Sequence, residues 1–107
     1  MRYLTRPEEL VLLTVYQLRE NSSLIKIRQH LIEKTGKEWS VSSVYVPLDR
    51  LTRAGYLESY IGEPSARRGG KAVKYYKISE NGREALSELK SIHDTMWRGI
   101  DNLVFEG

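Results

Sequence analysis

The sequence has no cysteine, and this absence removes several kinds of chemistry at once. Disulfide bonds, thiol nucleophiles and thiolate metal sites all require that residue. Only two histidines are present, His30 and His93, and they are far apart in the chain. No HExxH or GxxxxGK motif occurs. We therefore expect a protein that is not an enzyme and that uses no cofactor and no metal.

Long hydrophobic runs are missing as well. No stretch approaches the roughly 18 apolar residues needed to span a bilayer, and residues 1–9 lack the apolar centre of a signal peptide. We expect a cytoplasmic protein with no membrane partner. The 40% hydrophobic and 29% charged residues are nevertheless typical of a folded chain, and 107 residues suit a single domain.

Positive charge is concentrated in one segment. The formal net charge is only +3, but residues 64–77 contain no acid. The cations in this segment are Arg67, Arg68, Lys71, Lys74 and Lys77. A local cationic patch of this kind favours a polyanionic partner.

Helix signals mark the first half of the chain. Thr5 and Glu8 have the spacing of a capping box, and the polar segment 21–23 ends the first helix and can cap the second. The second helix ends at Gly36. A third helix is predicted from its cap Ser40 to residue 55, continuing through a proline at position 47.

Two strands and a long helix are predicted to follow. The strands cover 56–61 and 72–78 and form a hairpin, and Ser79 caps a helix from 80 to about 103. The predicted fold is mainly α with a small β-hairpin: a winged helix-turn-helix followed by a C-terminal dimerisation helix. We expect a DNA-binding unit at 1–79 and a dimerisation helix at 80–107, joined in a single structural unit.

The third helix has two different faces at about 100° per residue. We expect its buried side to carry Val41, Val44, Leu48 and Leu51, and its other side to carry Ser42, Ser43, Val46, Arg50 and Arg53. Short polar groups at a helix start suit entry into a DNA major groove. Tyr45 lies at the edge between the two sides and is a lesser candidate for contact. The alternative interpretation is a surface helix whose serines contact only solvent.

The hairpin tip and the last helix suggest two further contacts. Arg67 and Arg68, next to two glycines, could reach phosphates, although a charged loop can also simply be solvated. The last helix has apolar residues three and four positions apart that predict a dimer interface: Leu89, Ile92, Met96, Ile100 and Leu103. Trp97 beside them could stack on a flat aromatic ligand or anchor the dimer seam.

Several motifs together resemble the PadR family of bacterial transcriptional regulators. They are the Tyr-x-x-Leu-x-Arg-Leu spacing of residues 45–51, a glycine at 55, and the GluPro, ArgGlyGly, TyrTyr and AsnGlyArg pairs and triplets within 62–86. The chain looks like a short member of the family. It departs from the common pattern by having Ser23 and Leu24 before the second helix, and a proline one place later than in many members.

The resemblance implies a homodimeric winged-helix repressor bound to a palindromic site on double-stranded DNA and released by a small-molecule effector. By this resemblance Ser42, Ser43, Tyr45 and Val46 would read the groove, and Arg67, Arg68 and Lys71 would be wing contacts. Trp97 would line an effector pocket between subunits. Two other readings stay open: a winged helix that binds proteins without specific DNA binding, and a ligand sensor.

Overall fold

A computed structural model describes residues 3–62 and 72–100, which form four α-helices and one hairpin. A 3₁₀ turn at Arg19–Asn21 lies between the first two helices. The elements in chain order are α1 (Arg6–Leu18), α2 (Leu24–Thr35), α3 (Val41–Arg53), β1 (Leu57–Ile61), β2 (Lys74–Ile78) and α4 (Glu80–Trp97). The predicted order of helices and strands is thereby confirmed.

The start of α1 has the predicted capping box. The Thr5 side chain accepts a hydrogen bond from the Glu8 amide at 3.2 Å, and the Glu8 carboxylate accepts one from the Thr5 amide at 2.8 Å. These reciprocal bonds satisfy two amides that a helix start leaves without backbone partners. Ser23 caps α2 in the same way by accepting from the Lys26 amide.

One hydrophobic core joins the first three helices to the hairpin. Its buried residues are Val11, Leu12, Val15, Ile27, Leu31, Val44, Leu48, Leu51, Leu57 and Tyr76. Trp39 is partly buried and packs against this core. The core therefore fixes α3 against α1, α2 and β1.

The turn between α2 and α3 is held by side-chain hydrogen bonds. Gly36 takes the left-handed conformation, with φ of 68°, that ends α2. Arg28 Nε donates to the Trp39 carbonyl at 2.6 Å, and Trp39 Nε1 donates to Thr35 Oγ1 at 3.0 Å. These bonds place the chain immediately before α3 on the end of α2.

The buried side of α3 differs from the predicted one at two positions, Val41 and Pro47. Val44, Pro47 and Leu48 are buried together with Leu51, whereas Val41 is 57% exposed. The buried set follows the i, i+3, i+4, i+7 spacing of a helix stripe, and at 100° per residue Pro47 and Val41 lie about 120° apart, at opposite edges of that stripe. The prediction that α3 continues through Pro47 is confirmed.

The hairpin pairs β1 and β2 antiparallel, with Leu57 opposite Ile78 and Tyr60 opposite Tyr75. The strands begin one and two residues later than predicted. The adjacent tyrosines of β2 face opposite sides, as expected for a strand. Tyr76 is buried in the core, and the Tyr75 ring stacks on that of Tyr60 with centroids 5.8 Å apart.

The start of α4 is docked on the segment that follows α3. Ser79 Oγ accepts from the Gly82 amide at 3.1 Å and donates to the Gly55 carbonyl at 2.6 Å, while the Ser79 amide donates to the Tyr56 carbonyl. A Cβ on Gly82 would collide with the Tyr56 carbonyl oxygen and the Ile78 side chain. Glycine is therefore required for this close approach.

The end of α4 corrects a prediction. We expected the helix to continue to about residue 103, but it ends at Trp97, and Arg98 has an extended backbone. Gly99 follows with φ of 82°, the left-handed conformation typical of the residue after a helix. Position 103, which we predicted to be in the dimer interface, lies outside the described residues.

The cap of α3 makes a testable contribution to stability. Ser40 Oγ accepts from the Ser43 amide at 3.1 Å, so Ser40→Ala removes a capping bond and should lower the free energy of unfolding by about 1 kcal/mol. Urea denaturation measures this loss. The matched control is Ser42→Ala, two residues on, where we expect a change within about 0.5 kcal/mol. Equal losses in the two variants would show that Ser40 does not act as the cap.

Candidate nucleic-acid interface

The predicted DNA-reading residues share one exposed surface of α3. The structure places Ser42, Ser43, Tyr45, Val46 and Arg50 there, all of them exposed. Burial of the opposite stripe turns these side chains outward. Four of the five lie in the first two turns of the helix, where this side of the helix does not pack against the core. We call these five residues the reading surface.

The two serines of this surface present different hydrogen-bonding groups. The Ser43 hydroxyl donates to the Ser40 carbonyl at 2.8 Å, so its outward side offers only lone pairs. Ser42 Oγ lies 3.3 Å from Ser40 Oγ, and either oxygen can donate in that pair. Ser43 is therefore suited to accept a hydrogen bond, and Ser42 can either donate or accept.

The arginines of α3 also differ from each other. Arg53 Nε lies 3.0 Å from Asp49 Oδ2, an ion pair at i, i+4 spacing. Within residues 3–62 and 72–100, Arg50 has no acidic partner. Arg50 is therefore the α3 cation that is free to bind an anion. The i, i+4 spacing of Asp49 and Arg53 was visible in the sequence, but we did not use it to predict their pairing.

Tyr45 lies on α3, which packs against β1 of the hairpin, and it is 48% exposed. Burial raises the pKa of the Tyr76 phenol, and the nearby Tyr45 and Asp49 raise this pKa further.

Part of the predicted cationic wing is described. Lys74 and Lys77 are exposed on β2, and Lys77 Nζ lies 5.9 Å from the centroid of the Tyr60 ring. The ladder extends one step past the strands because the Gly62 amide donates to the Val73 carbonyl at 2.8 Å. The predicted contacts Arg67, Arg68 and Lys71 lie outside the described residues.

Three of the predicted dimer residues, Leu89, Ile92 and Met96, lie on one side of α4. Leu89 is half-buried, and Ile92 and Met96 on the helix, with Ile100 beyond its end, are exposed. A groove of about 500 Å³ lies between α1 and α4; its apolar lining residues are Leu13, Tyr16, Leu86 and Leu89. Trp97 is 44% exposed, and its ring lies 5.8 Å from that of His93.

Residues 3–62 and 72–100 contain no group of three or more histidines and acids placed to hold a metal ion. No helix in these two segments is both long and apolar enough to cross a membrane.

Two solved structures are similar to this chain over nearly its whole length. A PadR-like transcriptional regulator from Bacillus cereus is 25% identical, with a TM-score of 0.75, and the match covers 91% of this chain and 89% of that one. A PadR family transcriptional regulator from Eggerthella lenta is 25% identical, with a TM-score of 0.69, and the match covers 89% and 80%.

The family model for the PadR-like transcriptional regulators matches residues 12–88. No curated protein matches the chain. The matched segment runs from α1 into α4 and contains all of α2, α3 and the hairpin, so it includes the whole reading surface. The three helices and the wing are a winged helix-turn-helix, and this chain belongs to the PadR-like family of transcriptional regulators.

Proposed function

We propose that this regulator is a homodimeric repressor that binds a palindromic operator in double-stranded DNA. The observation that carries the proposal is the exposure of short polar side chains on the first two turns of α3 beside a lysine-bearing hairpin. Membership of a transcriptional-regulator family supports it, because regulators of this class act by binding DNA rather than by catalysis. The site of action would be the cytoplasm.

The reading surface suits a major groove for a steric reason. A groove about 12 Å wide admits a helix, and short side chains let the helix backbone approach the base edges. Ser42 and Ser43 are short, exposed and able to hydrogen-bond. Val44 and Leu48 are fully buried on the other side of α3, and their burial keeps the side with the two serines facing outward.

Phosphate contacts would come from the arginine of the reading surface and from the cations of the hairpin beside it. Arg50 is exposed in the last turn of α3, and Lys74 lies at the start of β2, towards the wing tip. We propose that Arg67, Arg68 and Lys71 extend this row over the adjacent backbone. Such contacts position a protein on the duplex without reading its sequence.

Repression would follow from occupancy of the operator. In a dimer with two-fold symmetry, two copies of α3 can enter successive major grooves about 34 Å apart. A palindromic operator presents the same bases to both copies. The bound dimer would then exclude polymerase from an overlapping promoter.

Arginine replacements at the hairpin tip test the phosphate contacts. Each phosphate contact that is lost should reduce the slope of log K against log salt by about 1, because fewer counterions are released. We therefore expect Arg67→Ala with Arg68→Ala to reduce the slope by about 2, and Arg50→Ala to reduce it by about 1. Titrations of DNA binding from about 50 to 200 mM salt give these slopes.

The control for lost charge is Arg98→Ala. The 18 residues of α4 place Arg98 about 27 Å along the helix axis from the end that docks on the winged-helix unit. The variant should keep the wild-type slope. Unchanged slopes in the tip variants would remove the wing from the proposed interface, and an equally reduced slope in Arg98→Ala would show that only net charge matters.

We propose that α4 forms the dimer interface, with the chain divided at residue 80 between DNA binding and dimerisation. Ile92, Met96 and Ile100 leave an apolar surface exposed in the single chain. The groove between α1 and α4 offers more apolar surface beside it, including Leu13 and Leu89. A second copy of α4 has the complementary apolar side chains and would bury both surfaces.

A charge placed on this surface tests the dimer. Met96→Glu puts a carboxylate where a partner helix would pack, so we expect a monomer by analytical ultracentrifugation and a loss of DNA affinity of at least tenfold. The matched control is Ser91→Glu, which helix spacing places on the opposite side of α4. It should remain dimeric. A Met96→Glu protein that remains dimeric would contradict this interface.

We also propose that Trp97 contacts an aromatic effector at the dimer interface. The ring is partly exposed and lies next to that of His93. With Trp39→Phe as the background, Trp97 is the remaining tryptophan, and binding of a flat aromatic compound should quench its fluorescence and weaken DNA binding. Fluorescence that responds only to dimer dissociation would assign Trp97 to the dimer seam instead.

A further inference from the structure

An exposed valine lies within the reading surface between its two serines. Val46 is on the second turn of α3 and is 43% exposed. It is four residues after Ser42 and three after Ser43, so the three side chains are neighbours on one side of the helix. This part of the reading surface thus combines two hydroxyl groups with one branched apolar group.

We infer that Val46 reads the 5-methyl group of a thymine in the major groove. This inference rests on the proposed function and adds to it a specific base. A valine side chain has neither a donor nor an acceptor, so it cannot pair with the polar groups of a base edge. Among the four bases, thymine alone presents a methyl group in the major groove, and apolar side chains contact it.

Val46 is not part of the hydrophobic core that the described residues form. The core of α3 is formed by Val44, Leu48 and Leu51, which are fully buried. A β-branched residue is also slightly unfavourable within a helix. Contact with a thymine methyl would bury Val46 only in the complex with DNA.

Val41 provides an internal comparison. It is also an exposed valine of α3, but it begins the helix and lies about 140° around the axis from Val46, on the side of Tyr45. It is therefore not a neighbour of Val46 on the reading surface. The same substitution at the two valines separates a specific contact from a general effect of removing exposed apolar groups.

Deoxyuridine supplies the test, because it differs from thymidine only by the missing methyl group. The probe is the tightest duplex that the full chain selects from a random DNA pool. Each thymine is replaced singly by uracil, and affinities are measured for the wild type, Val46→Ala and Val41→Ala. Melting temperature and the salt slope of binding verify that the variants fold and keep their phosphate contacts.

One thymine in each half-site should be sensitive to this replacement. Loss of one buried methyl corresponds to about a fourfold weaker affinity. Replacing both symmetry-related thymines should therefore weaken wild-type binding about fifteenfold, since distant effects add. Val46→Ala should bind the thymine and uracil duplexes within about twofold of each other, while Val41→Ala should keep the full wild-type discrimination.

The contrary outcomes are distinct from one another. A preferred duplex that tolerates uracil at every thymine overturns this inference and leaves the proposed function standing. Uracil sensitivity that persists in Val46→Ala also overturns it, because another side chain then contacts the methyl group. Failure to select any preferred duplex overturns sequence-specific DNA binding itself, and this inference with it.

Discussion

Burial of three aliphatic side chains of α3 determines what this protein can present to DNA. Val44, Leu48 and Leu51 are fully buried in the core. Complete burial of each such side chain is worth roughly 1.5–3 kcal/mol, so turning the helix about its axis would cost several kcal/mol. Because successive residues are about 100° apart, fixing this stripe also fixes Ser42, Ser43 and Val46 on the outside. The burial that stabilises the domain therefore also determines the direction in which the reading surface faces.

Both ends of α3 are held by hydrogen bonds to neighbouring elements. At its start, Ser40 caps the helix, and Arg28 binds the carbonyl of Trp39. Beyond its end, Ser79 at the cap of α4 donates to the Gly55 carbonyl, and its amide donates to the Tyr56 carbonyl. The proposed dimerisation helix is therefore tied directly to the segment that leaves α3. Dimer geometry would in this way set the spacing of the two reading surfaces.

The sequence predicted best those features that depend on short-range interactions. Caps at Thr5, Ser40 and Ser79 bond to amides three residues away, and the structure has all of them. The burial of Pro47 and the exposure of Val41 depend on how α3 packs against the core, which no local pattern specifies. The end of α4 was predicted wrongly because the apolar repeat continues in the sequence beyond Gly99, whereas the helix itself ends at Trp97.

In the candidate site too, some features could be predicted from the sequence and others could not. Spacing alone was enough to place Ser42, Ser43, Val46 and Arg50 together, since residues on one side of a helix follow from its period. Which groups remain free to bind could not be predicted so simply. The Ser43 hydroxyl is used by the Ser40 carbonyl, a bond that depends on the conformation of the cap. That detail determines which hydrogen-bonding groups the helix offers.

The central claim is that this regulator recognises a particular DNA sequence. Its most direct test is a mobility shift with the intergenic DNA beside its own gene, at two salt concentrations, in the presence of an unrelated competitor duplex. We predict that a complex with the intergenic DNA persists at competitor concentrations that abolish binding to unrelated DNA. Equal loss of both complexes, more severe at the higher salt, would contradict the claim and favour a winged helix that binds another protein.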